Sequence, residues 1–111
     1  MRKLLMLLVA LAASGDVAAA GFTDGNRLLT DCRASQDEAP HAICLGYVTG
    51  AYDMATALSL DCPNERYTVG QVRDIVVKFL VDNPRHRHLP AALLVARALV
   101  AELGCNLRAG G

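Results

Sequence analysis

TVGQVRDIVVKFLVDNP, residues 68–84, decides the fold. Its centre, Ile75-Val76-Val77, is β-branched and taken alone suits a strand. The flanks overrule that reading. Thr68 followed by Gln71 forms a capping box: the hydroxyl accepts from the third helical N–H, and the glutamine reaches back to the cap's own N–H. Val72, Ile75, Val76, Phe79 and Leu80 then recur at three- and four-residue steps, the period of a helix with one apolar side. Asn83-Pro84 stops it, because proline pushes the residue before it away from helical backbone. No alternating strand pattern occurs elsewhere in the chain.

Working outward, the same spacing gives three more helices. Thr23-Asp24-Gly25-Asn26 opens a short one ending near Cys32, with Leu28, Leu29 and Cys32 on its apolar side. A largely polar loop, Arg33 to Ala39, leads to Pro40 in the first turn of a second helix running to about Leu60. Cys44, Tyr47, Val48, Ala51, Met54, Ala55 and Leu58 form its inward stripe. Gly46 and Gly50 share another side. Glycine inside a helix costs about 1 kcal/mol relative to alanine, so the pair predicts close approach of another backbone. An intramolecular helix crossing is the expectation and a dimer contact the alternative, with Asp53 one turn further on to pair with an arginine of the third or fourth helix. Pro90 starts the last helix, with Ala91, Leu94, Val95, Ala98 and Leu103 inward and Gly104 as a left-handed terminal cap. The expected fold is all-α, a single small bundle of four main helices.

The N-terminus reads as an export signal: Arg2 and Lys3, an uncharged apolar run from Leu4 to Ala13, then Ala18-Ala19-Ala20 as a cleavage site. The run falls short of the roughly 20 residues a membrane span needs. Residues 1–20 are thus expected to be removed, leaving Gly21 to Gly111 as one exported, periplasmic domain with no membrane attachment. The removed segment carries Arg2, Lys3 and Asp16, so the remainder has one net negative charge. A near-neutral chain offers no general electrostatic case for nucleic acid. Arg108 to Gly111 reads as a linker-like tail.

Cys32, Cys44, Cys62 and Cys105 all lie beyond the signal, and an oxidising compartment preserves disulfides. Antiparallel packing of consecutive helices puts Cys32 and Cys44 at one end of the bundle and Cys62 and Cys105 at the other. Cys44 and Cys62 stand ~27 Å apart along a continuous helix at 1.5 Å per residue, far beyond the roughly 7 Å a disulfide tolerates between Cα atoms. The pairing is therefore Cys32–Cys44 and Cys62–Cys105.

Taken in order, Leu28-Leu29-x-x-Cys32, Cys44-Leu45-Gly46-Tyr47-Val48-x-Gly50-x-x-Asp53 and Cys62-Pro63 resemble the type VI secretion amidase immunity proteins, the Tai-like or Rap-like family. Gly70-Gln71-Val72-x-x-Ile75-Val76-x-x-Phe79-Leu80, Pro84, His88, Ala91-Ala92, Leu94, Ala98-Leu99 and Cys105 continue the match. Gly104 departs from it, standing where proline is expected. The resemblance implies a periplasmic homodimer that binds and blocks a secreted peptidoglycan amidase.

Arg85-His86-Arg87-His88 is the one dense charge cluster. It is read as a partner-contact loop, against the plainer reading of a solvated connection between helices. A metal site would need His86 and His88 with His41; a lone arginine between the two histidines and only Asp82 as a nearby acid make poor ligation. No Cys-x-x-Cys, Cys-x-x-Cys-His or serine nucleophile motif is present. No cofactor, metal or catalytic residue is expected. The alternative function is a small periplasmic stress protein or acid chaperone.

Overall fold

The computed structural model describes residues 21–63 and 66–109. The expected signal and its cleavage site lie outside them. Four α-helices build the described chain: α1, Gly25–Cys32; α2, Ala39–Leu58; α3, Val69–Asp82; and α4, Ala91–Leu103. Two short strands, β1 (Leu60–Asp61) and β2 (Asn106–Leu107), pair antiparallel with Leu60 opposite Leu107. The all-α expectation holds. The strands were not legible in advance, because two residues carry no period.

Each helix starts for a local reason. The Asp24 side chain accepts from Arg27 N–H at 2.8 Å and caps α1. Pro40 sits in the first turn of α2, where no donor is lost. At α3 both arms of the capping box form: Gln71 N–H to Thr68 Oγ1 at 3.1 Å, and Thr68 N–H to Gln71 Oε1 at 2.8 Å. Gly104, at φ 69°, ends α4 in the left-handed conformation, and Cys105 N–H closes on Leu99 O at 3.2 Å.

α2 packs against α1, α3 and α4, and α3 also contacts α1 and α4. The core joins Leu28, Leu29 and Val48 to Val72, Val76, Phe79 and Leu80, and to Leu94, Val95, Ala98 and Leu99. Ile75 is half-buried against it. Two expected inward residues of α2 face out instead: Met54 is 59% and Leu58 64% exposed. The helix is apolar nearly all round, so its period alone does not say which stripe the bundle takes. Leu58 is also its last residue; Ser59 caps it, so the helix ends two residues before the expected Leu60, which opens β1.

Both disulfides form as the topology argument requires, Cys32–Cys44 and Cys62–Cys105. Beside the second, Arg108 does not behave as a linker. Its backbone N–H donates to Ser59 O at 2.7 Å, and its guanidinium donates to Thr56 O at 2.7 Å, Ala57 O at 3.2 Å and Asp61 Oδ1 at 3.1 Å. These carbonyls are the last of α2, which lack partners within the helix. A tail residue thus caps α2 and fastens the β1–β2 corner.

Candidate partner-binding surfaces

The segment from Asn83 to Leu89 is built as a braced loop. Pro84–His86 makes one turn of 310-helix. His86 N–H donates to Asn83 O at 3.1 Å, Leu89 N–H to His86 O at 2.9 Å, and the Asn83 amide to Phe79 O at 2.8 Å. The first N–H groups of α1 hold it from the other side: Gly25 to Leu89 O at 3.1 Å and Asn26 to Arg87 O at 2.9 Å. Ala91 N–H returns a bond to Thr23 O at 2.8 Å. Helix donors with no intrahelical partner are thereby spent on the loop's carbonyls.

Gly25 makes this approach possible. A Cβ there would lie 2.5 Å from Leu94 Cδ1 and 2.8 Å from Arg87 O. Sequence reasoning took Gly25 as part of a helix start; a glycine directly after an N-cap aspartate is the trace it left.

Arg85, His86 and His88 are exposed on this loop, whereas Arg87 is half-buried. Its Nε is buried without a hydrogen-bond partner. The four are one loop in space, as expected, but Arg87 packs where Arg85 projects. Among the described residues no group of three or more histidine, cysteine, aspartate or glutamate side chains is placed to hold a metal ion. His41 is buried at the start of α2, with Nδ1 3.3 Å from Ala34 O.

Gly46 and Gly50 are exposed, and a Cβ built on either meets no atom within 4 Å. α2 and α4 do pack, but the expected close approach of another backbone at these two glycines is not seen. The glycines instead floor an open apolar depression of about 660 Å3 between α2 and α4, bordered by Met54, Leu58, Leu93 and Ala96. No charged side chain lines it. At its edge burial raises the pKa of Tyr47 above the usual tyrosine value, offset by the Ala92 backbone N–H. Asp53 is exposed and makes no ion pair with an arginine of α3 or α4; its backbone carbonyl accepts from Thr56 Oγ1 at 3.2 Å.

A second open groove, of about 700 Å3, lies between the end of α3, the outer side of α4 and the β1–β2 corner. Phe79, Leu60, Val100 and Leu107 line it, with Asn83, His86, Arg97 and Asn106 among them. Its walls come from four separate stretches, so no local pattern in the sequence marks it.

The profile of the Rap1a immunity proteins matches residues 24–105. The chain belongs to that family. This Rap1a-family member is thus an immunity-type protein against a secreted toxin, which acts by binding a protein partner. The match runs from the Asp24 cap to Cys105, so it takes in all four helices, both disulfides and the braced loop. No curated protein and no solved structure matches the chain. No helix among the described residues of this Rap1a-family protein is long and apolar enough to cross a membrane.

Proposed function

We propose that this protein is a periplasmic immunity protein that blocks a secreted peptidoglycan amidase by covering its cleft, without catalysis of its own. The braced cationic loop carries the reading. Its backbone is fixed by α1 before any partner arrives, so little conformational entropy is lost on binding. Arg85 stands exposed on it with no ion pair among the described residues, and arginine is enriched at the energetic centres of interfaces. The export pattern in residues 1–20 and two disulfides suit an oxidising compartment.

The test is co-expression with a periplasm-directed amidase toxin of the same or a competing genome, scored by lysis and by affinity in vitro. Arg85→Ala should weaken protection and leave the melting temperature nearly unchanged. Arg87→Ala should lower both, because that side chain also packs. A wild-type protein that binds no such amidase would falsify the proposal. An acid chaperone would instead expose apolar dye-binding surface on acidification; this fold should not.

The uncharged depression over Gly46 and Gly50 is the proposed homodimer face. A two-fold contact places the same patch on both sides, and a patch without charge meets its own copy without repulsion. Gly50→Leu should yield monomers in sedimentation equilibrium while the fold is retained, since a Cβ there meets no atom within 4 Å and the position is exposed.

A further inference from the structure

The described cations divide by their surroundings. Arg27 pairs with Asp31, Arg73 with Asp74, Lys78 with Asp82 and Glu102, and Arg108 with Asp61. Arg85, Arg87 and Arg97 pair with no carboxylate among the described residues. Arg33, the other unpaired one, lies just past the far end of α1 from the braced loop. Arg97 lines the apolar groove beside α4, and Arg85 lines, together with Asp82, a shallow notch that shares Asn83 and His86 with it. The acids that come nearest in sequence, Asp82 and Glu102, are both engaged by Lys78. Arg97 in the groove and Arg85 in the notch beside it are thus two cations without a carboxylate partner at one apolar surface.

We infer that this groove receives a segment of the toxin in which an apolar side chain is flanked by carboxylates. The apolar side chain seats against Phe79, Leu60 and Val100, and the carboxylates face Arg97 and Arg85. The inference rests on the immunity reading above and deepens it: the partner is held by the groove as well as by the loop at its rim.

Two physical points select this occupant. A second copy packed groove to groove would set two walls of like charge together, and like charges across an interface cost several kcal/mol. A small amphiphile would have its tail left in water, because the groove is open along its length, whereas small-ligand sites enclose most of their ligand. A protein segment supplies its own cover. The cations then supply selectivity and encounter rate, and the apolar contact supplies affinity.

The experiment titrates the oxidised protein with a catalytically inactivated amidase toxin from its own genome, by calorimetry. Val100→Asp and Arg97→Glu change exposed positions and should leave the helical spectrum and melting temperature as in wild type. Each should weaken binding by about tenfold or more, the range of a central interface residue. If both bind as wild type while Arg85→Ala binds weakly, the groove inference is overturned and the immunity reading stands. If the wild type binds no amidase, both fall. Laurate, titrated below its micelle concentration, is the second probe. If Val100→Asp abolishes laurate binding and leaves toxin binding intact, the groove is a small-amphiphile site and the inference is overturned.

Discussion

The depression between α2 and α4 and the groove beside the β1–β2 corner are nearly equal in size, about 660 and 700 Å3, and differ in charge. The first is lined mostly by glycine, alanine, leucine and Met54, with Tyr47 and Ser59 and no charged side chain. The second has Arg97 and His86 in its wall and Arg85 in the notch beside it. Buried area alone does not set affinity or choose a partner. On the two proposals above charge does the choosing: the uncharged face would tolerate its own copy, and the cationic one would disfavour it and call for an acidic partner. The two adjoin at Ser59 and Ala96, so one small bundle presents an uncharged and a cationic surface side by side.

The largest expected effect tests whether the charged groove has a rigid floor. Phe79 lines it and is also 9% exposed core. Phe79→Ala should cost about 3–5 kcal/mol in urea unfolding. A loss under about 1 kcal/mol, typical of an ordinary substitution, would mean the floor is surface and the groove ill-defined. Next in size is Gly25→Ala. Its Cβ would press on Arg87 O, so either the loop or α1 must shift. A cost of about 1–3 kcal/mol is expected, as for other overpacked sites, with weaker toxin binding and unchanged dimerisation. An equal loss of both would break the division between the two surfaces.

The two disulfides should differ by less. Cys62–Cys105 spans 43 residues and Cys32–Cys44 spans 12. Loop-closure entropy makes the longer one worth about 1 kcal/mol more. Because Cys105 lines the charged groove, replacing Cys62 and Cys105 by serine should also weaken toxin binding more than replacing Cys32 and Cys44, measured on proteins still folded by circular dichroism. Smaller still, Gly50→Ala should stabilise the monomer by up to about 1 kcal/mol. If α2 meets its copy there, that gain should shrink as protein concentration rises in thermal melts. A gain independent of concentration would remove Gly50 from the dimer face.

The smallest effect concerns Tyr47, whose pKa is raised in the folded state. The unfolded chain then loses its phenolic proton first, so the stability it contributes is present below about pH 10, the ordinary tyrosine value, and declines above it. Tyr47→Phe should flatten that alkaline decline. An unchanged slope would place the phenol in water.

Local chemistry made most of the fold legible. Thr68 and Gln71, Pro40 and Gly104 state helix ends in short range, and the disulfide pairing followed from helix order and length. What stayed hidden was set by tertiary neighbours. The stripe of α2 taken by the core is ambiguous when Met54 and Leu58 are as apolar as Val48. Arg108 looks like a tail residue until Thr56, Ala57 and Asp61 are folded beneath it. The cationic cluster was visible as a string, but that Arg87 packs while Arg85 projects depends on Gly25, over sixty positions earlier in the chain. The second groove gathers residues 59–60, 79–86, 96–101 and 105–107, and no window on the sequence contains them together.

The Arg108 cap sets an order of events. Cys32 can meet Cys44 once the first two helices have emerged, a short closure with a small entropic cost. The end of α2 has no such early partner: its last carbonyls wait for a residue about fifty positions downstream, and β1 waits with them for β2. Until residue 108 is present those carbonyls lack these donors, and the corner that walls the cationic groove cannot close.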